Sequence, residues 1–189
     1  MRIISGSLKG RKIRQVKNKK TRPLKDLTKE SIFNILQHSN LINFEFKKSS
    51  ILDLFSGVGS FGLECISRGS KSVVFWENFP ETINILKRNI FDLGCENKIK
   101  IIKKNIFEIK NLEELKKEKF EIIFLDPPFA DESYLQELKL IKQNNNYKKN
   151  HLIIIHRERR SFENFENILS PIITKQYGRS KIIFGKFLR

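Results

Sequence analysis

The sequence has only two cysteines and no long apolar run. Cys65 and Cys95 are too few for a disulfide framework or a cysteine-based metal cluster, so we expect reduced thiols and no metal. No apolar run approaches the roughly 18–20 residues that cross a membrane. The first residues contain no apolar signal core either, so we expect a protein of the cytoplasm. These absences argue against a disulfide-rich secreted module and against a membrane protein.

Acidic residues are missing from both ends of the chain. The 189 residues include 37 Lys or Arg and 21 Asp or Glu, a net charge of +16. The first 25 residues contain ten Lys or Arg and no acid, and residues 171–189 contain five Lys or Arg and no acid. A uniform compositional bias toward lysine would not leave the middle of the chain balanced. Because localised positive charge attracts polyanions, the distribution predicts a nucleic-acid partner.

Short apolar runs alternate with helical patterns through most of the chain. The apolar runs predict strands at residues 50–55, 72–77, 98–103, 122–125 and 151–156. Helical patterns follow at residues 25–37, 63–68, 80–93 and 112–117, after Tyr134, and after Ser161, where Phe162, Phe165 and Leu169 would face inward. We expect a polar loop at 143–150 and a closing β-hairpin at 172–187 around Gly178. The alternation predicts an α/β fold, a mostly parallel sheet with helices on both faces.

A small basic hairpin is predicted at the start of the chain. Strand-like runs at residues 2–4 and 12–14 flank a turn that contains Gly6 and Gly10. The turn carries Lys9, Arg11 and Lys12, which suit contacts to phosphates. A polar, lysine-rich linker follows. We therefore divide the chain into a basic hairpin and linker, residues 1–22, and one larger domain, residues 23–189.

A glycine loop follows the first strand of the larger domain. Gly57, Gly59 and Gly62 have the G-x-G-x-x-G spacing between a strand and a helix. Glu77 ends the next strand, twenty residues beyond Gly57. This spacing is typical of an acid that binds the hydroxyls of a ribose. NAD is the usual ligand of this pattern. Asp53 would repel a pyrophosphate but suits a cation, such as the ammonium group of S-adenosylmethionine, which we therefore predict as the cofactor.

The residues around this loop favour the same cofactor. Asp53-x-Phe55-x-Gly57-x-Gly59 is similar to a common adenosylmethionine-binding loop, in which Ser56 also lies. Asn105 follows the third strand, where its amide could bond the edge of the adenine; a plain turn residue is the alternative interpretation.

The fourth strand ends in Asp126-Pro127-Pro128-Phe129. The prolines have a fixed φ and no N–H, so they hold a carboxylate and an aromatic ring on a stiff loop. In open α/β sheets, ligands bind at the carboxyl ends of the strands. Alone, the motif could be a strand that stops at a proline turn. Beside the glycine loop, we interpret it as the acceptor side of a methyl-transfer site.

Together, these motifs resemble the bacterial small-subunit ribosomal RNA guanine-N2 methyltransferases, the RsmD family, over nearly the whole chain. The segments that carry the resemblance are 2–12, 22–23, 29–36 and 53–64, with Glu77 and 126–129. The chain departs from the family pattern at Leu24, Lys25 and His156. At the position of His156, members of the family often have an acid. His156 is either a plain strand-end residue or a substrate contact.

The resemblance implies a fold, a reaction and a set of site residues. The fold is a Rossmann-like class I methyltransferase with a seven-stranded sheet, and the reaction methylates N2 of one guanine in small-subunit ribosomal RNA, free or in a ribosomal subunit. The implied catalytic residues are Asp126, Pro127, Pro128 and Phe129. The implied cofactor-binding residues are Asp53, Phe55, Ser56, Gly57, Gly59, Glu77, Asn105, Ile106 and Asp126. The implied RNA-binding residues are Arg2, Lys9, Arg11, Lys12 and Arg22. We expect a monomer.

The acceptor motif also suggests a mechanism. The carboxylate of Asp126 and the carbonyl of Pro127 can accept the two hydrogens of an exocyclic amine, and Phe129 can stack on the base. Whether Asp126 also takes the proton is left open by the sequence.

Three alternative functions remain at this point. Another amine methyltransferase could act on DNA adenine or protein glutamine, although many of those enzymes have Asn-Pro-Pro-Tyr, where this chain has Asp126 and Phe129. An NAD-dependent oxidoreductase is disfavoured by Asp53 and by the lack of a substrate domain. A non-enzymatic RNA-binding module would explain the charge but not the carboxylates at three strand ends.

Removing the charges of Lys9, Arg11 and Lys12 together should weaken RNA binding and flatten its salt dependence. Each phosphate that the protein no longer neutralises lowers the slope of log K against log salt by roughly 0.7–0.9. Titrations of labelled RNA over a range of salt concentrations measure this slope, and an unchanged slope would mean that the hairpin is not an RNA-binding arm.

Overall fold

The described part of the chain contains seven strands and four α-helices. The computed structural model describes residues 1–16, 26–106, 112–129, 131 and 133–188. The helices are α1 (Asp26–His38), α2 (Ser60–Ser67), α3 (Pro80–Leu93) and α4 (Tyr134–Gln143). The strands are β1 (Ser50–Leu54), β2 (Ser72–Trp76), β3 (Ile99–Ile102), β4 (Phe120–Leu125), β5 (Tyr147–Glu158), β6 (Leu169–Tyr177) and β7 (Ser180–Phe187). Within these residues, no helix is both long and apolar enough to span a bilayer.

The strands form one sheet in the order β3-β2-β1-β4-β5-β7-β6. The first five strands in this order are mutually parallel, and β7 pairs antiparallel with both β5 and β6. The chain passes outward from β1 to β2 and β3, then returns to the other side of β1 to form β4. This reversal opens a crevice at the carboxyl ends of β1 and β4, which is where ligands bind in such sheets.

Helices cover both faces of the sheet. Alternate residues of each strand point to opposite faces, so Ile51 packs in one apolar cluster and Leu52 in the other. Residues of α1, α2 and α3 complete the first cluster, and residues of α4 complete the second. Because both faces of β1 and β4 are covered, every residue of these strands except Ser50 and Glu121 is buried. The predicted fold class is confirmed.

Most predicted elements are confirmed within a few residues, but three predictions differ from the structure. The loop expected at 143–150 contains the start of β5, because Tyr147 pairs with Phe120 and extends the strand. The helix expected after Ser161 does not form; residues 161–168 are irregular and turn structure, and Phe162 is 85% exposed. The helix expected at 112–117 is a single 3-10 turn, Glu113–Leu115. Linker residues 17–22, among them Arg22, lie outside the described residues.

The N-terminal hairpin packs tightly on α2. Arg2 and Lys12 form an antiparallel bridge, which confirms the predicted pairing. Ile3 and Ile13 are buried in the same apolar cluster as α1 and α2. At the turn, Gly6 has a φ of 86°, and an added Cβ would lie 2.0 Å from the carbonyl oxygen of Ser67. Only glycine fits this close approach, so the turn is held against the last residue of α2.

One buried carboxylate holds the hairpin in place. Glu64 of α2 is fully buried and accepts hydrogen bonds from the backbone N–H groups of Ile4 at 2.7 Å and Ser5 at 2.9 Å. Arg68 also donates to Glu64, at 2.9 Å. Lys29 of α1, also fully buried, lies 3.9 Å from Glu64 and donates to the carbonyl of Arg2 at 2.8 Å. The hairpin is therefore joined to two helices through one carboxylate.

Glu64→Ala should destabilise the protein by about 3–5 kcal/mol, because it leaves the buried ammonium of Lys29 without its main counter-charge. Asp26→Ala is the matched control, because Asp26 lies at the same 3.9 Å from Lys29 but is 53% exposed, and it should cost at most about 1 kcal/mol. Urea unfolding of both variants measures the difference. Equal losses would mean that docking of the hairpin does not depend on Glu64.

Candidate active site

A cavity of about 420 Å³ opens at the carboxyl ends of β1, β2 and β4. The structure places most of the predicted site residues around it. Those that line the cavity are Asp53, Phe55, Ser56, Gly57, Glu77, Asp126, Pro127, Pro128 and Phe129. We call residues 126–129 the proline loop. The glycine loop and the proline loop therefore face one another across a single cavity, as the sequence predicts.

The glycine loop has a bent backbone. Phe55 has a φ of 58°, a left-handed conformation that is unfavourable for a residue with a side chain. Gly57 and Gly59 also have positive φ values, 55° and 85°. The N–H of Ser56 donates to the carbonyl of Trp76 at 3.1 Å, which ties the loop to the end of β2. A non-glycine residue held in this conformation beside a cavity is typical of a functional site.

Glu77 holds the glycine loop and the start of α3. Its carboxylate accepts from the N–H groups of Gly57 at 2.8 Å, Asn78 at 2.9 Å and Phe79 at 3.0 Å. These backbone donors compensate for its burial. Glu77 itself lines the cavity.

Asp53 is a buried carboxyl with one unsatisfied oxygen. Its Oδ2 accepts from the N–H of Gly62 at 2.9 Å, whereas its Oδ1 has no hydrogen-bond partner. Burial raises the pKa of Asp53 well above its usual range. The Gly62 hydrogen bond opposes this shift, and the nearby charges of Asp126 and Glu77 add to it. A cationic ligand group beside this carboxylate would offset the energetic cost of burying its charge.

Unsatisfied polar atoms concentrate at this cavity. Among the described residues, Asp53 Oδ1, Ser60 Oγ and His156 Nε2 are buried atoms without a hydrogen-bond partner, and all three residues line the cavity. Buried polar atoms usually have partners, so these three atoms could each bond a group that enters the cavity. The arrangement suits a ligand that carries a cation and several hydrogen-bonding groups.

On the acceptor side, Asp126 is paired with His156. The Nδ1 of His156 lies 2.8 Å from Oδ1 of Asp126, and the imidazole also meets the ring of Phe129 edge-on, with centroids 5.4 Å apart. The sequence leaves open a plain strand end and a substrate contact; His156 lines the cavity, and a contact with substrate stays a prediction. His156 fixes the orientation of the Asp126 carboxylate.

Arg157 is the main site residue that no sequence pattern predicts. It is almost fully buried, and its guanidinium donates to the carbonyls of Pro128 at 3.0 Å and Phe129 at 3.1 Å. Its Nε donates to Glu163 at 3.1 Å, and its charge lies 4.7 Å from the ring centre of Tyr134. One side chain thus fixes the proline loop. The only signal in the sequence is an arginine at the end of an apolar strand.

Several other predicted residues lie away from the cavity. Asn105 and Ile106 follow β3 near the outer edge of the sheet, and neither lines the cavity; Ile106 packs in the core. Gly59 also lies behind the wall, where an added Cβ would meet Leu86. Arg22 lies outside the described residues. These four assignments remain predictions.

The turn of the predicted RNA-binding hairpin lies at the end of α2 that is remote from the cavity. This turn is held against Ser67, whereas the glycine loop lies at the other end of this helix. Arg11 donates to the backbone carbonyl of Asp92 at the end of α3. The other end of the hairpin segment does reach the cavity, since Gln15 and Val16 line it.

Comparisons with known proteins agree with this geometry. A family model described as conserved hypothetical protein 95 matches residues 1–186. Two proteins named ribosomal RNA small subunit methyltransferase D are 34% identical to this chain. The one from Haemophilus influenzae matches over 163 residues, 84% of this chain and 79% of that protein. The one from Buchnera aphidicola subsp. Baizongia pistaciae matches over 176 residues, 92% of this chain and 80% of that protein.

Solved structures share the fold. A candidate methylase from Haemophilus influenzae superposes with a TM-score of 0.76 and 28% identity, over 100% of this chain and 98% of that one. An RNA methyltransferase from Salinibacter ruber, solved with S-adenosyl-L-homocysteine, has a TM-score of 0.60 and 13% identity, over 86% of this chain and 92% of that one.

Asp53→Asn should stabilise the unliganded protein at neutral pH. The folded-state pKa of Asp53 is raised above the unfolded value of 3.8, so between the two values the unfolded state binds fewer protons and the stability contribution of this carboxyl falls as pH rises. Asparagine keeps an oxygen for Gly62 but does not ionise. The difference in unfolding free energy between variant and wild type should therefore grow with pH above 3.8 and then level off.

Urea unfolding at a series of pH values measures this difference. Asp92→Asn is the control, because Arg14 lowers the pKa of Asp92 and its removal should give no such gain. A difference for Asp53→Asn that does not vary with pH would contradict the assignment.

Proposed function

This chain belongs to the conserved hypothetical protein 95 family, the RsmD family, and we propose that it methylates the N2 amine of a guanine in small-subunit ribosomal RNA. The observation that carries the proposal is the juxtaposition of two loops. The glycine loop, with Asp53 and Glu77, faces the Asp126-Pro127-Pro128-Phe129 loop across one cavity. A methyl donor held by the first loop would meet an amine held by the second.

The donor side fits S-adenosylmethionine, which supplies a methyl group on a positively charged sulfur. The unsatisfied oxygen of Asp53 suits the ammonium of its amino-acid part. Glu77 suits the ribose hydroxyls, and Phe79, 63% exposed beside it at the cavity wall, offers an aromatic face to the adenine. The Salinibacter ruber structure with S-adenosyl-L-homocysteine shares this fold, which is compatible with the assignment.

The acceptor side suits an exocyclic amine. The lone pair of such an amine is delocalised into the ring, so the nitrogen must be held close to the methyl group and in line with the leaving sulfur. His156 engages Oδ1 of Asp126, and this orients Oδ2 toward one amine hydrogen. The carbonyl of Pro127 can accept the other hydrogen. The negative charge of Asp126 also stabilises positive charge that develops on the nitrogen.

Arg157 supports this arrangement as a positioning residue. Because it holds the carbonyls of Pro128 and Phe129, the proline loop cannot rotate without breaking two charge-assisted hydrogen bonds. Phe129 is kept beside the acceptor carboxylate, where its ring can stack on a base. Stacking of this kind is worth roughly 1–3 kcal/mol per base.

The polyanionic substrate matches the charge of the chain. The net charge of +16 favours binding of RNA over small metabolites. A base inside a duplex could not reach the cavity, so the target guanine must be unpaired or flipped out of its stack. We infer a monomeric enzyme that acts in the cytoplasm.

Incubation with S-adenosylmethionine labelled on its methyl group tests the proposal. The substrates are protein-free small-subunit ribosomal RNA and undermethylated small subunits, and the labelled nucleoside is identified after digestion. Label on N2 of guanine at one position is expected. Label on adenine, DNA or protein would refute the proposal, as would no transfer to either substrate.

Asp126→Asn should lower kcat by at least about 100-fold while binding of S-adenosylmethionine persists, because the variant loses the charge that faces the amine. Asp131→Asn is the matched control: Asp131 lies five residues on, where it accepts from Ser133, and its kcat should stay near that of the wild type. Near-normal turnover of the Asp126 variant would exclude the proposed role.

A further inference from the structure

An exposed segment follows β5 beside the acceptor side of the site. We call residues 159–162 the Arg-Phe loop; it contains Arg159, Arg160 and Phe162. Phe162 is 85% exposed, more than any other large hydrophobic side chain among the described residues. A single exposed phenylalanine is not unusual by itself. The exposed ring of Phe162 differs because its backbone is anchored on both sides and because arginines surround it.

Buried contacts on either side of Phe162 hold the Arg-Phe loop rigid. The hydroxyl of Ser161 lies 2.8 Å from the carbonyl oxygen of Glu158 and 2.5 Å from Oε1 of Glu163, and it can donate its one hydrogen to either acceptor. Lys181 of β7 donates to the carbonyl of Ser161. Because residues 161 and 163 are both tied inward, the backbone turns Phe162 outward. The exposure of this ring is thus imposed by the fold, so the ring is preorganised for a partner.

The same contacts place the Arg-Phe loop next to the acceptor site. Glu163, one residue beyond Phe162, is bound to Arg157, and Arg157 donates to the carbonyls of Pro128 and Phe129. Only two side chains therefore separate Phe162 from the loop that we propose holds the acceptor base.

The surface around Phe162 is positively charged. Arg159 and Arg160 are exposed, and the N–H of Arg159 donates to the carbonyl of Arg179 at 2.8 Å, which brings a third arginine beside them. The side chain of Arg179 is 81% exposed and lies 3.7 Å from Glu158, the acid that partly offsets this charge. Glu163 does not offset it, because Arg157 and Lys181 already neutralise its charge.

We propose that the Arg-Phe loop and Arg179 dock an unpaired stretch of RNA beside the acceptor site. Phe162 stacks on a nucleobase that neighbours the target, and the arginines bind the adjoining phosphates. This assignment rests on the proposed function and adds a second RNA-binding surface, separate from the N-terminal hairpin. An aromatic ring between cations suits single-stranded RNA, because every base has a face for stacking and every nucleotide a negative charge.

Phe162→Ala tests the stacking interaction. We expect the Kd for a labelled single-stranded RNA that contains the target loop to rise by about 5- to 150-fold, and the KM for RNA to rise with it. The kcat at saturating RNA and the binding of S-adenosylmethionine should not change. Phe162→Tyr should keep near-normal affinity, because it retains the ring. Leu41→Ala removes another exposed apolar side chain, 68% exposed after α1, and should have no effect.

The double variant Arg159→Ala/Arg160→Ala tests the binding of phosphates. The negative slope of log K against log salt should become shallower by roughly 0.7 for each phosphate of single-stranded RNA that the variant no longer neutralises. Lys47→Ala/Lys71→Ala is the matched control, because these two exposed lysines lie before β1 and β2, at the opposite edge of the sheet. Its slope should match that of the wild type.

Three outcomes would overturn the assignment. The first is an unchanged RNA affinity in Phe162→Ala. The second is an equal fall in affinity in Phe162→Tyr, which would indicate a structural effect. The third is a weaker affinity for assembled subunits but not for protein-free RNA, which would assign the loop to a ribosomal protein. RNA binding is measured without cofactor, so these outcomes are independent of the methylation assay. If wild type binds RNA through this loop but transfers no label, the proposed function fails and the RNA-binding assignment stands.

Discussion

The pairing of β1 between β2 and β4 is the constraint on which the site depends. The parallel register aligns Leu54 with Trp76 on one side and with Leu125 on the other, so all three strands end at one edge. Each strand places an acid within a residue of its end, Asp53 in β1, Glu77 after β2 and Asp126 after β4. Three carboxylates so close together repel one another, and the structure separates them by bonding each one differently. Backbone N–H groups hold Glu77, one N–H holds Asp53, and a histidine holds Asp126.

The sequence predicts the parts of this site that depend on local pattern. Asp53, Glu77 and Asp126 follow apolar runs, and the order of strands and helices is enough to bring such positions to one edge. Arg157 and the docking of the hairpin are different. Arg157 acts on residues 28 and 29 positions earlier, and Glu64 acts on residues about 60 positions earlier. The spacing of apolar residues along the sequence cannot predict such contacts, because they depend on how the elements pack. The helix expected after Ser161 fails for the same reason: Glu163 is drawn inward by Arg157, and this contact overrides a helical spacing of apolar residues.

The positive charge of the chain is divided between two places in the fold. The N-terminal hairpin carries basic residues at the end of α2 that is remote from the glycine loop, whereas the Arg-Phe loop lies beside the proline loop. The hairpin packs on the face of the sheet that α1, α2 and α3 cover, whereas Arg157 and Tyr134 beside the Arg-Phe loop lie on the face that α4 covers. An RNA that used both surfaces would have to pass from one face of the sheet to the other. Such a path selects for a folded RNA of some size, since a short oligonucleotide could satisfy only one of the two surfaces.

The edge strand β6 also limits how the protein can associate. An outer strand with free N–H and C=O groups is a template to which another chain can add. In β6, Pro171 offers no N–H, the register shifts between Pro171 and Ile173, and Lys175 places an exposed charge on the strand. At the opposite edge, β3 is only four residues long. Both borders of the sheet thus oppose intermolecular strand addition, which protects the chain against aggregation.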